Sequence, residues 1–136
     1  MEHHLVDSDR DDPGEAFRLY AGAGEARVKF FKFAQPDGRV RFLTYTFPPG
    51  ASEGLHVHHQ GSAIGAYDEY YYVVSGSGEV VLEGDTIQVN AGDLVFAPLG
   101  IAHGIANTSP TEPLKILLTY LEGNPRRMAA AQASVE

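Results

Sequence analysis

Residues 92–107, which read GDLVFAPLGIAHGIAN, form the stretch from which the fold is most readily inferred. Two short apolar runs, Leu94–Ala97 and His103–Ala106, flank the turn-forming sequence Pro98-Leu99-Gly100. Runs of this length bounded by glycine and proline are typical of β-strands and are too short for ordinary helices. This stretch therefore predicts two short strands joined by a tight loop.

Runs of strand-forming residues occupy most of the chain on both sides of this stretch. They are separated by glycine, proline and aspartate, and no amphipathic segment of about 10–15 residues lies between them, so strands alternating with helices are not expected. Many short strands at this spacing predict an all-β sandwich or barrel. The further predicted strands are Arg27–Phe33, Val40–Phe47, Glu69–Val74, Glu79–Glu83, Thr86–Val89 and Lys115–Leu121, with a weaker signal at Phe17–Tyr20.

A second stretch contains the side chains that point to chemistry: residues 50–76 read GASEGLHVHHQGSAIGAYDEYYYVVSG. His56 and His58 are two residues apart, and on a strand such residues project to the same face. Glu69 opens a strand among aromatic residues, where an inward carboxylate needs a partner, and His103 opens another strand. Three imidazoles and one carboxylate suit a divalent first-row transition metal: iron, manganese, nickel, cobalt or zinc. The sequence therefore predicts one such ion per chain at these four residues.

The two stretches resemble the two sequence motifs of the cupin family. The first motif is matched by Gly50, His56, His58, Glu69 and Gly76. The second motif is matched at every position, by Gly92, Pro98, Gly100, His103 and Asn107. The resemblance covers about residues 40–122, and the fifteen residues between the motifs are similar to the short spacing of small bacterial cupins. It implies a single-domain cupin, whose fold is a double-stranded β-helix, or jelly-roll barrel, with the chemistry in its interior.

The spacing within the first motif departs from the family's pattern. Ten residues separate His58 from Glu69, more than the family usually has. The insert formed by residues 59–68 is largely glycine-rich and would lie at the barrel mouth next to the metal. Two interpretations stay open: a lid or substrate loop, and a longer solvent loop without a role. His59 and Asp68 are expected to face away from the metal, because strand alternation turns them outward.

Alternation also predicts which aromatic side chains face the cavity. Tyr71 shares the face of Glu69 and is the candidate catalytic residue. Tyr70 and Tyr72 would lie on the opposite face, packed against another sheet or a partner subunit. This tyrosine-rich outer face and the exposed strand edges indicate a homodimer, which the resemblance also implies.

Cations near the cavity bear on the charge of the substrate. Arg39 and Arg41 are the cations nearest the strand that leads to Gly50. An inward position of either would favour an anionic substrate, but a surface position is expected for both. Periodicity leaves open whether Tyr45 faces the cavity, because both faces of that strand are partly apolar.

Several activities remain open on this scaffold, because a fold does not determine a reaction. The resemblance implies oxygenation, decarboxylation, isomerisation, lyase and cyclase reactions, and plain ligand binding. We expect a metal-dependent cupin enzyme acting on a small organic molecule, most simply an Fe(II)-type oxygenase, so iron is the favoured metal. The alternatives are a Lewis-acid isomerase, cyclase or lyase, and a non-catalytic cupin that binds a small ligand.

Composition limits the partners and the chemistry. The chain has 136 residues, no cysteine and a formal net charge of −8. The lack of cysteine excludes disulfides and thiolate catalysis, and the charge argues against nucleic acid or an anionic membrane as partner. No apolar run is long enough to span a membrane, and the first residues lack the features of a signal peptide. A cytoplasmic protein is therefore expected.

The domain organisation follows from the distribution of these signals. We expect a polar N-terminal arm over residues 1–16, one cupin barrel over residues 17–122, and a C-terminal tail or short helix over residues 123–136.

Overall fold

A computed structural model describes residues 6–33, 35–58 and 66–123 of the chain. Within these ranges every regular element is a β-strand and all strand pairs are antiparallel, which confirms the predicted all-β class. The strands are β1 (Glu15–Phe17), β2 (Ala26–Phe30), β3 (Phe42–Phe47), β4 (Tyr67–Ser75), β5 (Ser77–Leu82), β6 (Asp85–Asn90), β7 (Leu94–Ala97), β8 (His103–Ala106) and β9 (Leu114–Glu122).

The strands form two sheets. Six strands are ordered β1-β2-β3-β9-β4-β7, and three are ordered β6-β5-β8. The irregular segment 51–58 runs along β8, to which it is joined by bridges at Ser52–Ala106 and His56–His103. Buried apolar side chains from both sheets make one continuous core. The chain thus encloses an interior between two antiparallel layers.

Alternation along β3 and β9 builds the wall of that interior. Leu43, Tyr45 and Phe47 are buried, and they lie opposite Leu118, Ile116 and Leu114 of β9. Full burial of one such side chain contributes about 1.5–3 kcal/mol, so this register is strongly favoured over a one-residue slip. Tyr45 therefore faces the interior, which periodicity had left open.

The turn between β4 and β5 is tighter than predicted. The sequence indicated a break over Ser75–Gly78, whereas only Gly76 interrupts the two strands. Gly76 has φ of 86°, and a Cβ there would lie 2.3 Å from the carbonyl oxygen of Pro113. Glycine is required at this position for both reasons.

The N-terminal region contributes a strand and a buried ion pair. β1 ends at Phe17, so the strand lies about two to three residues before the one predicted at Phe17–Tyr20. Tyr20 has a positive φ of 49°, which ends extended structure there. The Nζ of Lys29 lies 3.0 Å from Asp7 Oδ1 and 3.1 Å from Asp12 Oδ2. These contacts tie the predicted polar arm to β2.

Some predictions lie outside the described residues. They are the insert between His58 and Ala66, including the orientation of His59, and the C-terminal tail or helix beyond Gly123. Across residues 6–33, 35–58 and 66–123, no helix has the length and apolarity needed to cross a membrane.

Candidate metal centre

The first two predicted ligands lie on the irregular segment 51–58. Leu55 and Val57 are exposed there, whereas His56 is half-buried and His58 is buried. The alternation of a strand therefore holds over residues 55–58, and the two imidazoles project to one side.

Backbone hydrogen bonds fix these ligands relative to the third. The N–H of His56 donates to the carbonyl of His103 at 3.0 Å, and the N–H of His103 donates to the carbonyl of His56 at 3.0 Å. The N–H of Gly100 donates to the carbonyl of His58 at 3.0 Å. The loop before β8 and the first residue of β8 thus anchor the histidine pair without using any imidazole nitrogen.

Glu69 reaches the same point from the larger sheet. It lies in β4 between Ala97 of β7 and Tyr120 of β9, and it is 1% exposed. One ligand atom from each of the four predicted ligands lies within 4.8 Å of the others. Glu69 Oε2 lies 2.6 Å from His58 Nε2 and 3.5 Å from His103 Nε2.

The tautomers of two imidazoles are set by backbone carbonyls. His56 Nδ1 lies 2.8 Å from the carbonyl oxygen of Gly54, and His103 Nδ1 lies 2.9 Å from that of Ile101. Each Nδ1 therefore carries the proton and donates it, which leaves the lone pair on Nε2. A metal-binding histidine has its second nitrogen fixed in this way.

The donor set fits a metal ion. The Nε2 atoms of His56, His58 and His103 and both carboxylate oxygens of Glu69 are buried, and none has a hydrogen-bond partner outside this group of four residues. Each unsatisfied buried polar atom costs about 1–3 kcal/mol. A cation at the point of convergence would satisfy the whole group, and the nitrogen and oxygen donors suit a divalent first-row metal.

The protonation states suit the same role. Burial lowers the pKa of His56 to about 4, so its imidazole is neutral at neutral pH. Burial alone would raise the pKa of Glu69, but the neighbouring imidazoles of His103 and His58 outweigh it and hold the pKa below its ordinary value. The neutral imidazole of His56 and the ionised carboxylate of Glu69 are the forms of these groups that ligate metals.

Tyr20 covers one of the histidines, and sequence reasoning missed it. Its ring stacks on that of His56 with centroids 3.5 Å apart and planes 4° apart, and it meets His58 edge-on. Burial raises the pKa of its hydroxyl, which therefore stays protonated. Tyr20 lies in the connection between β1 and β2, where no periodic signal indicates what a side chain will touch.

Tyr71 lies in the interior but is tied to a second carboxyl group. Its hydroxyl donates to Glu53 Oε1 at 2.9 Å, and its ring is 6.0 Å from that of His103. Glu53 is 4% exposed, and its Oε2 is buried without a hydrogen-bond partner. Burial, followed by the charge of Glu69, raises the pKa of Glu53 well above its ordinary value. The pKa values of the two carboxyl groups are thus shifted in opposite directions, with that of Glu69 lowered and that of Glu53 raised.

Glu53 was also missed from the sequence. It lies in the spacer between Gly50 and His56, three residues before the histidine, so two-residue alternation does not place it on the ligand face. Its position follows instead from the hydrogen bond of its N–H to the carbonyl of Ile105 at 2.8 Å, which brings it beside β8.

Two expectations of surface exposure need correction. Asp68 is 4% exposed and accepts a hydrogen bond from the N–H of Leu99 at 2.9 Å, because the loop after β7 covers it. The side chain of Arg41 is 11% exposed, since it packs over the rings of Tyr67 and Tyr120. Arg39 is exposed as expected.

Comparison with known proteins identifies relatives of this chain. A family model described as a cupin domain matches residues 43–120. A Thermotoga maritima protein named oxalate-binding protein is 31% identical over 110 residues, which are 79% of this chain and 86% of that protein.

Solved structures give the same picture of the fold. A predicted oxalate decarboxylase from Thermotoga maritima superposes with a TM-score of 0.74 and 27% identity, covering 87% of this chain and 99% of that one. The polyketide cyclase RemF from Streptomyces resistomycificus superposes with a TM-score of 0.64 and 26% identity, covering 90% of this chain and 83% of that one. The predicted double-layered barrel is therefore confirmed.

Proposed function

The chain belongs to the cupin family, and from this premise we propose that it binds one divalent transition-metal ion through His56, His58, Glu69 and His103. The observation that carries the proposal is the convergence of four ligand groups whose metal-facing atoms are buried and have no partner outside the group. Iron is the metal proposed first, with manganese, nickel, zinc and cobalt as competitors for the same donors.

The proposed substrate is a small organic acid that binds at this centre. Three neutral imidazoles and one carboxylate leave a divalent ion with a net charge of about +1, which favours an anionic oxygen ligand. The named oxalate-binding relative supports this class. Oxalate is therefore the first probe, as a compact acid that chelates through two oxygens.

The interior carboxyl pair supports an enzyme over a plain binding module. Two carboxyl groups whose pKa values are driven apart can serve as separate acid and anion in one site. We propose that Glu53 holds a proton on Oε2 for a bound substrate and that Tyr71 positions it by donating to Oε1. In this scheme Tyr71 is a positioning residue, because it orients the carboxyl group of Glu53 and does not itself contact the substrate.

The metal, when bound, would supply either Lewis-acid polarisation of a substrate oxygen or, as iron, oxygen-dependent redox chemistry. The Fe(II)-type oxygenase is favoured by the three-histidine, one-carboxylate donor set, which leaves coordination positions free. Lewis-acid isomerase, cyclase or lyase chemistry is favoured by the likeness to a polyketide cyclase.

Metal analysis with a substrate screen tests these proposals. Protein purified without an affinity tag should contain about one transition metal per chain and should bind oxalate only when loaded. Oxygen uptake with an organic acid would support the oxygenase, and turnover without uptake would support Lewis-acid chemistry. Absence of metal after reconstitution with each of the five ions would contradict the proposed function.

We also propose that the chain forms a homodimer through the outer face of β4 and β7. Tyr72, Val74, Leu94 and Phe96 are between 36% and 63% exposed there, and β7 lies at an edge of the larger sheet. Leu94→Glu should shift the mass measured by light scattering from dimer to monomer. The charge-matched variant Ile87→Glu, on β6 of the other sheet, should leave the dimer intact; a monomeric wild-type protein would contradict the proposal.

A further inference from the structure

Arg41 lies on the interior face of the larger sheet, in the same row as a metal ligand. Phe42, the first residue of β3, pairs with Thr119, and the preceding residue, Arg41, would stand opposite Tyr120 if this register continued by one residue. Tyr120 pairs with Glu69, and the Arg41 guanidinium carbon lies 5.9 Å from the centroid of the Tyr120 ring. Alternation gives Arg41 the face of the buried Leu43. Since neighbouring strands are about 4.8 Å apart, the Cα atoms of Arg41 and Glu69 are separated by about 10 Å.

The side chain of Tyr120 lies between these two charges. The guanidinium carbon of Arg41 lies 5.9 Å from the centroid of the Tyr120 ring, and Tyr120 is the residue of β9 that pairs with Glu69. Its O–H donates to the carbonyl of Val40 at 2.9 Å, which holds the ring between β3 and β4. A molecule bound at the metal centre and extending over Tyr120 would reach Arg41.

The guanidinium of Arg41 has an unused donor group. Its Nη2 donates to Asp37 Oδ2 at 2.6 Å and contacts the Tyr67 hydroxyl at 3.3 Å. Its Nη1 is buried and has no hydrogen-bond partner. A buried donor of a charged group without an acceptor is costly, and an anion is the ligand that would satisfy it.

The Tyr67 hydroxyl adds a second donor. It accepts hydrogen bonds from Arg39 Nη1 at 3.0 Å and from Arg41 Nη2 at 3.3 Å. The hydroxyl proton of Tyr67 takes part in neither of these bonds, and it donates to no acceptor among residues 6–33, 35–58 and 66–123.

We propose that Arg41 and Tyr67 form an anion-binding subsite at the barrel mouth, which holds the distal anionic group of a substrate whose other end occupies the metal centre. This inference rests on the proposed function, and it restricts the proposed substrate from small organic acids in general to diacids. The preferred substrate is an organic diacid with several carbon atoms between a metal-chelating end and a distal carboxylate. Oxalate is too short to occupy both positions across about 10 Å of sheet.

Two ligands of equal length isolate the contribution of the distal charge. 2-Oxoglutarate and 2-oxopentanoate share the same chelating end, and only the former ends in a carboxylate. Calorimetric titration of the Mn²⁺-loaded protein without oxygen should give about 10- to 100-fold tighter binding of 2-oxoglutarate. Arg41→Met should abolish this preference and leave the affinity for 2-oxopentanoate, the Mn²⁺ content and the melting temperature near those of the wild type.

Two further variants separate recognition from structure. Tyr67→Phe keeps the ring under the guanidinium and should reduce the preference about 3- to 10-fold. Arg27→Met removes an exposed arginine of β2 whose guanidinium donates to the carbonyl of Gly14, and should change nothing. If Arg41→Met weakened both oxo acids equally, Arg41 would be structural and the subsite would be wrong.

The outcomes distinguish the subsite from the proposed function on which it rests. Equal affinity of the wild-type protein for the two oxo acids would overturn the subsite and leave the metal-bound organic acid standing. Failure of both oxo acids and of oxalate to bind the Mn²⁺-loaded protein would overturn the proposed function, and the subsite with it.

Discussion

The metal centre and the barrel mouth differ in how their side chains are fixed. At the centre, backbone hydrogen bonds between His56 and His103 hold the ligands in place. At the mouth, Arg41 is held by side chains, namely the ring and hydroxyl of Tyr67 and the carboxylate of Asp37. The first region is therefore built into the strand pairing of the fold, whereas the second can change without altering it. This separation is what allows one scaffold to carry different reactions.

The largest expected effect is loss of the metal when a backbone-fixed ligand is removed. His103→Ala should lower metal affinity by at least about 100-fold, since it removes a ligand and leaves Glu69 with one imidazole fewer. Metal content after dialysis against a weak chelator measures this. The surface variant Glu122→Gln, at the end of β9, is the matched control; full metal occupancy in His103→Ala would contradict the assigned centre.

The next effect is on the pH dependence of stability. Glu53 has a raised pKa in the folded protein, so it keeps its proton above pH 4.5, the ordinary value at which the unfolded chain releases it. The stabilisation present below that pH is therefore lost as pH rises, by at most about 1.4 kcal/mol per pH unit. The Glu53→Gln variant has no ionisable group at this position, so it does not show this decrease in stability with rising pH.

Denaturant unfolding of the metal-free proteins between pH 4 and 8 measures the difference. The stability of Glu53→Gln relative to the wild type should increase steadily above pH 4.5. A constant difference across this range would show that Glu53 ionises normally in the fold, and the proton-holding role would then fail.

A smaller effect on metal affinity is expected from Tyr20, whose ring stacks on the proposed ligand His56. Tyr20→Leu removes the ring stacked on His56 and should weaken metal binding about 3- to 10-fold, because the imidazole loses part of its support. Tyr20→Phe keeps the stack and should retain wild-type affinity in the same metal titration. Equal loss in both variants would assign the effect to the hydroxyl instead.

The smallest effect is expected at the edge of the mouth. Asp37→Asn removes the carboxylate that competes for Arg41, and it should strengthen binding of 2-oxoglutarate about 2- to 3-fold. The affinity for 2-oxopentanoate should stay constant. A weaker affinity for 2-oxoglutarate would mean that Asp37 is needed to orient the guanidinium.

The positions of the strands could be predicted from the sequence where turn-forming residues and the alternation of apolar residues mark them. Leu94–Ala97 and His103–Ala106 are strands with the predicted bounds, because glycine and proline delimit both. The strand predicted at Phe17–Tyr20 was misplaced, because β1 ends at Phe17 and the positive φ of Tyr20 and Ala21 is incompatible with extended structure there.

The site could be predicted only where it coincides with the motifs. His56 and His58 were chosen as proposed ligands from their chemistry and two-residue spacing, whereas Glu69 was chosen through the resemblance to the first cupin motif, despite its longer spacing from His58. Arg41 was expected on the surface, and the partly apolar character of both faces of β3 left no periodic signal against that expectation. Glu53 lies in an irregular segment, where its burial results from pairing with a strand about fifty residues later in the chain.

X-ray absorption spectroscopy of the metal-loaded protein tests the central claim most directly, because it reports the identity of the donor atoms. The account predicts one transition metal per chain with scattering from three imidazole rings and from oxygen donors that include Glu69. His58→Ala should reduce the imidazole contribution from three rings to two. A spectrum fitted by oxygen donors alone, or one unchanged in that variant, would contradict the assignment of the metal centre.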